Sequence, residues 1–272
     1  MIGQRCVQQQ IKSAIESKSL ARFIILVGER GSGRKTLANE IAKLLKANCA
    51  IVDKGVDAIR DVIENSYKIT SEIIYVLDGD GMSPSAKSSL LKITEEPPNN
   101  ARFVLTVTDL NQTLDTLISR ACIYRMDNYT KADIAQFAGT DDWRFPNFCT
   151  NKYEVDLMLK YGINEFHDFV NLVVDNIGDV SSANALKVEE RVSFKDTDDK
   201  YDMKIFLQAF RTECMDRVYG DSVLSTSEKM KYLDWIKIAT KKLEVMRTPT
   251  VNKQSLFDMF IFDIRAVQYA DR

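Results

Sequence analysis

The sequence of 272 residues is 45% hydrophobic and 28% charged, with a formal net charge of −2 at pH 7. These values predict a soluble globular protein of two or three domains, and the balanced charge excludes a general attraction to nucleic acid. No stretch approaches the roughly 18 consecutive apolar residues of a membrane-spanning helix, and the N-terminus lacks a signal-peptide pattern. We therefore expect a cytoplasmic protein that makes no membrane contact.

The cysteines give no sign of a disulfide framework or a metal site. The chain has five of them, far apart and without CxxC spacing: Cys6, Cys49, Cys122, Cys149 and Cys214. An odd number at such spacings favours buried free thiols. We expect no metal site, and no zinc in particular.

The first candidate site follows the first predicted strand. A helix is predicted over residues 4 to 18, since its apolar residues recur at helical spacing. The apolar run from Phe23 to Val27 predicts a buried strand, and the sequence GERGSGRKTLA follows it from Gly28 to Ala38. A strand, a glycine-rich turn and a helix that begins near Arg34 are the layout of a phosphate-binding loop.

The composition of this turn favours a binding loop over a mere connection, because three of the chain's eleven glycines fall within six residues. Backbone N–H groups in such a turn surround phosphate oxygens, and the helix N-terminus adds a favourable dipole. The candidate nucleotide-binding residues are Gly28, Gly31, Ser32, Gly33, Arg34, Lys35 and Thr36.

The loop departs from the motif GxxxxGK[ST] at its last two positions. Gly28 and Gly33 fit, but Arg34 replaces the motif's lysine, and Lys35 replaces the hydroxyl residue that binds Mg²⁺. The pattern is compatible with bound ATP or ADP and makes Mg²⁺ doubtful. In the alternative, the loop bulges by one residue, so that Lys35 and Thr36 act as the lysine and the Mg²⁺ ligand of an active site.

The second candidate site follows the apolar run Ile73 to Leu77, which ends at Asp78. A buried parallel strand that delivers a carboxylate at its C-terminal end is typical of the Walker B aspartate, which orients Mg²⁺ through water. Gly79 stands where a glutamate would polarise the attacking water. Asp80 lies one residue further along, and we expect it to point elsewhere.

Helices and apolar strands alternate through residue 126. The helix after the loop is expected to turn inward the side chains of Leu37, Ile41, Leu44 and Leu45. Ser83 and Pro84 predict a capped helix start after Asp78. Further strands are predicted at residues 50–52, 102–107 and 122–126. The fold class is therefore α/β, with a parallel five-stranded sheet that binds ligands at the strands' C-terminal ends.

Beyond residue 126 the patterns are helical, and no strand is evident. A polar loop is expected around Asp142, Trp143 and Pro146, and a charged link spans Lys195 to Asp202. The last predicted helix opens at Asn252 and is expected to bury Leu256, Met259, Phe260, Ile264 and Val267. The predicted domains are an α/β domain over 1–126, a helical lid over 127–190 and a C-terminal helical collar over 191–272.

Together these stretches resemble the AAA+ subunits of DNA polymerase III clamp loaders, specifically the delta-prime (gamma-like) type. The resemblance rests on Ile2-Gly3-Gln4, GERGSGRKTLA, LDGDGMSPSAKSSLLKITEEPP, RFVLTVTD and LISRA. It covers the N-terminal 126 residues, and the helical remainder agrees in arrangement. It implies a AAA+ P-loop domain followed by a helical lid and an oligomerising collar.

The resemblance also implies a role for the arginine of LISRA, Arg120. In the family this arginine acts in trans, as an arginine finger on the nucleotide of the neighbouring subunit. The chain would supply Arg120 to a neighbouring ATPase and help to load a sliding clamp on primed DNA. Its partners would be the other subunits of a hetero-oligomeric ring, the sliding clamp and, through the assembly, primed DNA.

Departures from the family predict a degenerate ATP site without intrinsic ATPase activity. Besides the loop and Gly79, the sensor 2 arginine has no counterpart, and the family's zinc module is absent. Lys87 stands where the family has a coupling glutamine. Lys87 and Lys92 are solvated lysines or DNA contacts, and we assign them no DNA role.

Two other classes of function stay open at this point. One is an active AAA+ ATPase motor subunit that uses Lys35, Thr36 and Asp78. The other is a non-enzymatic adaptor, encoded by a phage or mobile element, that displaces a host loader subunit.

Overall fold

The computed structural model describes residues 1–177, 188, 190–193, 200–220, 224–246 and 251–270. The chain divides into two compact units. Unit 1 comprises Met1–Asp133 and Asn151–Tyr153, and unit 2 comprises Ile134–Thr150 and Glu154–Arg272.

Unit 1 alternates helices and strands. Its elements in chain order are α1 (Arg5–Glu16), β1 (Phe23–Val27), α2 (Arg34–Leu45), β2 (Asn48–Val52), α3 (Val56–Ser66), β3 (Ile73–Asp78), α4 (Pro84–Ser89), α5 (Leu91–Glu95), β4 (Ala101–Val107), a 3₁₀ turn (Leu110–Gln112), α6 (Asp115–Ile118) and β5 (Cys122–Arg125). The next helix, α7 (Lys131–Ala138), begins in unit 1 and continues into unit 2.

The five strands form one parallel sheet in the order β2-β3-β4-β1-β5. The strand β1 lies between β4 and β5, with Phe23 opposite Phe103 and Ile24 opposite Cys122. Because the strands are parallel, the loop after β1 and Asp78 at the end of β3 lie at the same edge of the sheet. The predicted α/β class and five-stranded parallel sheet are confirmed.

Helices cover both faces of this sheet, which explains why all five residues of β1 are buried. One core contains alternate strand residues with side chains of α3 to α6: Ile25, Leu77, Phe103, Leu105, Ile59, Leu90 and Leu117. The other core contains the remaining strand residues with side chains of α1 and α2: Ile24, Leu26, Val76, Ile11, Leu37 and Ile41.

One predicted core position of α2 is wrong, since Leu44 is 46% exposed. The end of α2 lies beside β2, an edge strand whose Ile51 is also 70% exposed. Helical spacing identified the face of α2 that packs on the sheet. It could not show that the last turn of this face lies beside an edge strand, where the side chains stay exposed.

The helix after Asp78 begins as predicted but is interrupted. Ser83 accepts a hydrogen bond from the Ala86 N–H at 3.2 Å, and Pro84 is the first helical residue. The pattern breaks at Leu90 into α4 and α5. The hydroxyls of Ser88 and Ser89 donate back to carbonyls one turn earlier, a contact that disturbs the helical ladder.

The N-terminus is tied to the end of unit 1. Gln4 is buried, its amide nitrogen donates to the Asp127 carbonyl at 2.6 Å, and its amide oxygen accepts from the Asp127 N–H at 2.6 Å. These contacts lie within unit 1, and the predicted domain boundary at residue 126 stays a prediction.

The described part of unit 2 is almost entirely helical. After α7 its elements are α8 (Arg144–Phe148), α9 (Lys152–Tyr161), α10 (Ile163–Asn176), β6 (Val192–Ser193), β7 (Tyr201–Asp202), α11 (Met203–Gly220), α12 (Thr226–Val245) and α13 (Lys253–Ala270). The two short strands pair in parallel and correct the expectation of no strand beyond residue 126. Residues 195–199 of the predicted charged link lie outside the described residues.

The predicted polar loop around Trp143 contains the short helix α8 instead. Asp142 accepts hydrogen bonds from the Arg144 backbone N–H at 3.0 Å and from its guanidinium at 2.6 to 3.1 Å. Phe145 and Phe148 are buried, whereas Trp143 is 46% exposed. The aspartate therefore stabilises a helix start that the polar composition concealed.

The helices α11, α12 and α13 pack through an aromatic core. The buried Trp235 donates to the Ile264 carbonyl at 3.1 Å, and its ring lies 5.9 Å from that of Phe210. In α13, Leu256, Phe260 and Ile264 are buried as predicted, but Met259 is 55% exposed, and Val267 is only partly buried.

Most residues of the predicted lid and all those of the predicted collar are assigned to unit 2. Their division at residue 190 stays a prediction. Among the described residues, no helix is long and apolar enough to cross a membrane.

Candidate functional site

The glycine-rich loop joins the end of β1 to the start of α2. The Gly28 N–H donates to the Val107 carbonyl at 3.1 Å, and α2 begins at Arg34 after the N-cap Gly33. Gly31 and Gly33 have φ values of 85° and 88°, a left-handed conformation that glycine adopts without steric cost. The sequence places glycine where the backbone needs it.

Neighbouring side chains hold this loop in place. The Tyr129 hydroxyl donates to the Ser32 carbonyl at 2.8 Å. The Arg30 guanidinium lies 4.2 Å from the centre of the Tyr153 ring. A Cβ on Gly31 would lie 2.3 Å from the Asn151 Oδ1, so a side chain cannot be added there without moving Asn151.

Two lysines surround the carboxylate of Asp78. The Lys35 Nζ lies 3.1 Å from the Asp78 Oδ2, and the Lys54 Nζ lies 3.5 Å from the same oxygen. Burial alone would raise the pKa of Asp78, but the hydrogen bond from Lys35 and the charges of both lysines outweigh it and lower the pKa. The carboxylate is therefore ionised and already paired with cations.

Asp80 belongs to the same cluster, so the expectation that it points elsewhere is wrong. Its Oδ2 accepts a hydrogen bond from Arg34 at 3.0 Å. Its Oδ1 accepts from the Thr108 N–H at 2.8 Å and from the Thr108 hydroxyl at 2.9 Å. Lys54 donates to the Asp80 carbonyl at 2.6 Å. The turn after β3 bends back toward the loop, which residue spacing alone did not show.

Position 79 has no space for a side chain. A Cβ on Gly79 would lie 2.7 Å from the Val107 Cγ1 and 3.0 Å from the Leu105 Cδ1. Both neighbours are completely buried in the sheet core. The glutamate that polarises water in nucleotide hydrolases is therefore absent from this position, and the surrounding packing does not admit it.

The remaining loop candidates differ in exposure. Thr36 is exposed on α2, whereas Ser32 is buried, and its hydroxyl has no hydrogen-bond partner among the described residues. The helix α2 begins at Arg34, directly after Gly33, and the alternative in which Lys35 and Thr36 act as the lysine and the Mg²⁺ ligand stays a prediction.

Arg120 lies at the opposite edge of the sheet from the loop. It precedes β5, which starts with Cys122 opposite Ile24, whereas Gly28 follows the end of β1. At about 3.3 Å per residue, β1 separates the two edges by about 13 Å.

The side chain of Arg120 is 41% exposed and lies against α5 and α6. It donates to the Thr116 carbonyl at 3.0 Å, and its Nη2 lies 3.8 Å from the Glu95 Oε1. Because both partners of this ion pair are solvated, it restrains the guanidinium only weakly.

Comparisons with known proteins add to this geometry. A family model described as "DNA polymerase III, delta subunit" matches residues 52–130, which include Asp78 and Arg120. The chain is 27% identical over 169 residues to DNA polymerase III subunit gamma of Buchnera aphidicola subsp. Schizaphis graminum, covering 50% of this chain and 47% of that protein. It is 26% identical over 161 residues to the replication factor C small subunit of Haloarcula marismortui, covering 52% and 49%.

The chain is similar to clamp-loader AAA+ subunits. The expected resemblance to clamp-loader AAA+ subunits is confirmed, and the delta-prime type stays a prediction. The chain spans about half the length of these relatives.

Solved structures agree on the fold. A DNA polymerase III gamma subunit-related protein from Thermotoga maritima superposes with a TM-score of 0.52 at 16% identity, covering 98% of this chain and 100% of that one. A point mutant of RuvB from the same organism gives a TM-score of 0.51 at 16% identity, covering 100% and 88%. At this identity the likeness shows the AAA+ fold alone.

The structure gives Lys87, one of the residues at which this chain departs from clamp-loader subunits, a different environment from the one expected. Lys87, which stands at the family's coupling glutamine, is buried and donates to the Gln112 carbonyl. The interpretation of Lys87 as a solvated lysine is therefore wrong, whereas Lys92 is exposed.

Sequence reasoning missed two residues that contact Asp80, namely Lys54 and Thr108. Both follow the C-terminal ends of strands, β2 and β4, at the edge where the loop lies. That placement was a usable signal, because ligand-binding side chains in parallel sheets collect there.

A resident metal site receives no support from the acidic, cysteine or histidine side chains. The described part of the chain contains no group of three or more of them that could hold a metal ion. All five cysteines are free, but the expectation that they are buried is wrong for Cys6 and Cys49, which are exposed. Cys149 and Cys214 are buried, and burial raises the pKa of their thiols.

Proposed function

We propose that this chain is a clamp-loader subunit of the delta-prime type that supplies Arg120 as an arginine finger to a neighbouring ATPase. The supporting observation is the separation of Arg120 from the chain's own loop by the length of β1. An arginine at the opposite edge is poorly placed for its own nucleotide and is exposed for contact with another subunit. Such a finger stabilises charge on the transferring phosphoryl group and contributes about 10³–10⁵ in rate.

The proposal includes a degenerate ATP site without intrinsic ATPase activity. Gly28, Gly31, Ser32 and Gly33 would surround the phosphates of ATP or ADP, with Arg34 and Lys35 as their cations. Mg²⁺ does not fit the residues present, because ammonium groups pair with Asp78 and no hydroxyl occupies position 35. Hydrolysis depends on positioning and charge stabilisation, and Gly79 supplies no carboxylate.

The proposed partners are the other subunits of a hetero-oligomeric loader ring, the sliding clamp and primed DNA. Relatives of the chain carry the names of DNA polymerase III and replication factor C subunits. The last helix, α13, exposes Met259 and Phe262, the latter by 72%, and these side chains would contact neighbouring subunits in a collar. Because the assembly acts on DNA in the cell interior, we propose a cytoplasmic location.

Turnover by the reconstituted loader tests the finger. Arg120→Ala should leave the fold unchanged and lower ATP turnover of the neighbouring subunit by at least about tenfold. Arg120→Lys should not restore the rate, because a point ammonium cannot replace the planar fork.

Arg60→Ala is the matched control, since Arg60 is exposed on α3 and forms a similar ion pair, 3.9 Å from Asp57. Equal turnover with wild-type and Arg120→Ala subunits would remove the trans-acting role and favour the adaptor. Turnover by the isolated chain that is abolished by Lys35→Ala or Thr36→Ala would favour the motor.

A further inference from the structure

The charged cluster at the loop edge contains more cations than carboxylates. Arg34, Lys35 and Lys54 face Asp78 and Asp80, with separations of 3.0 to 3.5 Å between the charged atoms. Three positive charges against two negative charges leave a net charge of +1. Elements that are distant in sequence therefore bring three cationic side chains together beside the glycine-rich loop.

Two of these cations remain accessible to solvent. The side chains of Lys35 and Lys54 are 53% and 47% exposed, whereas that of Arg34 is only 12% exposed. An arriving anion can therefore reach both ammonium groups without displacing the side chains around Arg34. Such an anion would be attracted by the ammonium groups of Lys35 and Lys54, which would then interact with both the anion and the two aspartates.

The buried Ser32 hydroxyl is an independent sign of a ligand. Ser32 is 93% buried by its 7% relative exposure, and its Oγ has no hydrogen-bond partner in the described part of the chain. The oxygen lies close to Gly28 at the start of the loop, since it would be 2.6 Å from a Cβ on that residue. A buried hydroxyl without a partner is costly unless a ligand or water satisfies it.

A divalent cation is poorly suited to the same place. The ammonium groups of Lys35 and Lys54 lie 3.1 and 3.5 Å from the Asp78 Oδ2, and they would repel Mg²⁺ beside that oxygen. The ammonium groups of Lys35 and Lys54 can offset the charge of a phosphate directly, as a bound metal ion would.

We propose that this edge binds the phosphates of a nucleoside di- or triphosphate without a divalent metal ion, with Lys54 as a binding residue. The ammonium groups of Lys35 and Lys54 supply the positive charge that Mg²⁺ supplies in hydrolysing sites, and the Ser32 hydroxyl donates to a phosphate oxygen. This inference rests on the proposed nucleotide-binding loop, but it does not depend on the role of Arg120.

Calorimetric titration of the full chain with ADP tests the proposal, once in excess EDTA and once in excess MgCl₂. We expect binding in EDTA that is at least as tight as in MgCl₂, and weaker binding at high salt. Lys54→Gln should weaken binding in EDTA by about tenfold, the loss expected for one charge-assisted contact. Lys54→Arg should retain most of the affinity.

Lys43→Gln is the control, because Lys43 is exposed on the same helix as Lys35 and its ion pair with Glu40 at 3.0 Å is broken in the same way. Its affinity should stay within about twofold of wild type. Pyrophosphate and adenosine titrations separate the phosphates from the base, and binding of pyrophosphate alone is expected.

Binding that requires MgCl₂, an absence of ADP binding in EDTA, or equal affinities for Lys54→Gln and Lys43→Gln would each overturn the proposal. Thermal melting of each variant separates a lost contact from a lost fold. None of these outcomes bears on the proposed arginine-finger role, because that role is tested by the ATP turnover of a neighbouring subunit with and without Arg120.

Discussion

Gly79 gives the sharpest test of the degenerate site, because its neighbours are rigid. A methyl group at this position would lie 2.7 Å from the Val107 Cγ1 and 3.0 Å from the Leu105 Cδ1, both in the completely buried core. Overpacking of this kind costs about 1–3 kcal/mol. We therefore expect Gly79→Ala to lower the melting temperature of unit 1 by about 2–12 °C, and Gly79→Glu by at least as much.

Thermal and urea unfolding followed by circular dichroism measures this cost. Gly55→Ala is the matched control in the same unit, because a Cβ there would meet only Ala58, at 4.0 Å. Its lost N-cap preference and its reduced unfolded-state entropy oppose each other, so its stability should change by no more than about 0.5 kcal/mol.

A double-mutant cycle with Val107→Ala isolates the steric contribution. In that background Gly79→Ala should cost clearly less, because the contacting Cγ1 is gone, and the coupling should exceed about 0.5 kcal/mol. An unchanged cost in both backgrounds, or a stable Gly79→Glu variant that gains ATP turnover, would refute the packing argument.

Two further predictions concern unit 2. The hydrogen bonds from Arg144 lower the pKa of Asp142 in the folded protein. The ionised Asp142 therefore stabilises the folded state above the unfolded-state pKa of about 3.9, and this stabilisation is lost as the pH falls through the lower pKa of the folded state. Asp142→Asn should cost about 1–3 kcal/mol in urea unfolding at neutral pH and flatten the acid dependence, and an unchanged acid dependence would contradict this. Phe262→Ser should leave the melting temperature within about 2 °C of wild type, since Phe262 is 72% exposed. The same substitution should weaken association with loader subunits in analytical ultracentrifugation. Unchanged association would show that α13 is not part of the interface.

The sequence predicted the sheet well because its central strands, β1, β3 and β4, are buried on both faces. Runs such as Phe23 to Val27 have a single interpretation as strands, and the Ser83-Pro84 pair marks a helix start through local hydrogen bonding alone. Strands and helix starts of this kind depend on consecutive residues, so they can be predicted without a structure.

Side-chain environments set by distant segments could not be predicted in the same way. Lys87 is buried because the Gln112 carbonyl accepts its ammonium hydrogen, and no spacing rule connects these two residues. Asp80 faces Arg34 because the turn after β3 bends back, although its position in the sequence suggested the opposite. Asp78 and Lys35 were both predicted site residues, but their pairing with Lys54 depends on the order of the strands.

The two tryptophans of the chain, Trp143 and Trp235, are both in unit 2. Intrinsic tryptophan emission is therefore a reporter of unit 2 alone, and unfolding of unit 1 produces no direct tryptophan signal. The buried Trp235 and the half-exposed Trp143 also differ in solvent contact, so a soluble quencher should reach Trp143 first. A tryptophan introduced at the exposed Tyr67 would give unit 1 its own optical signal and allow the two units to be followed separately in one sample.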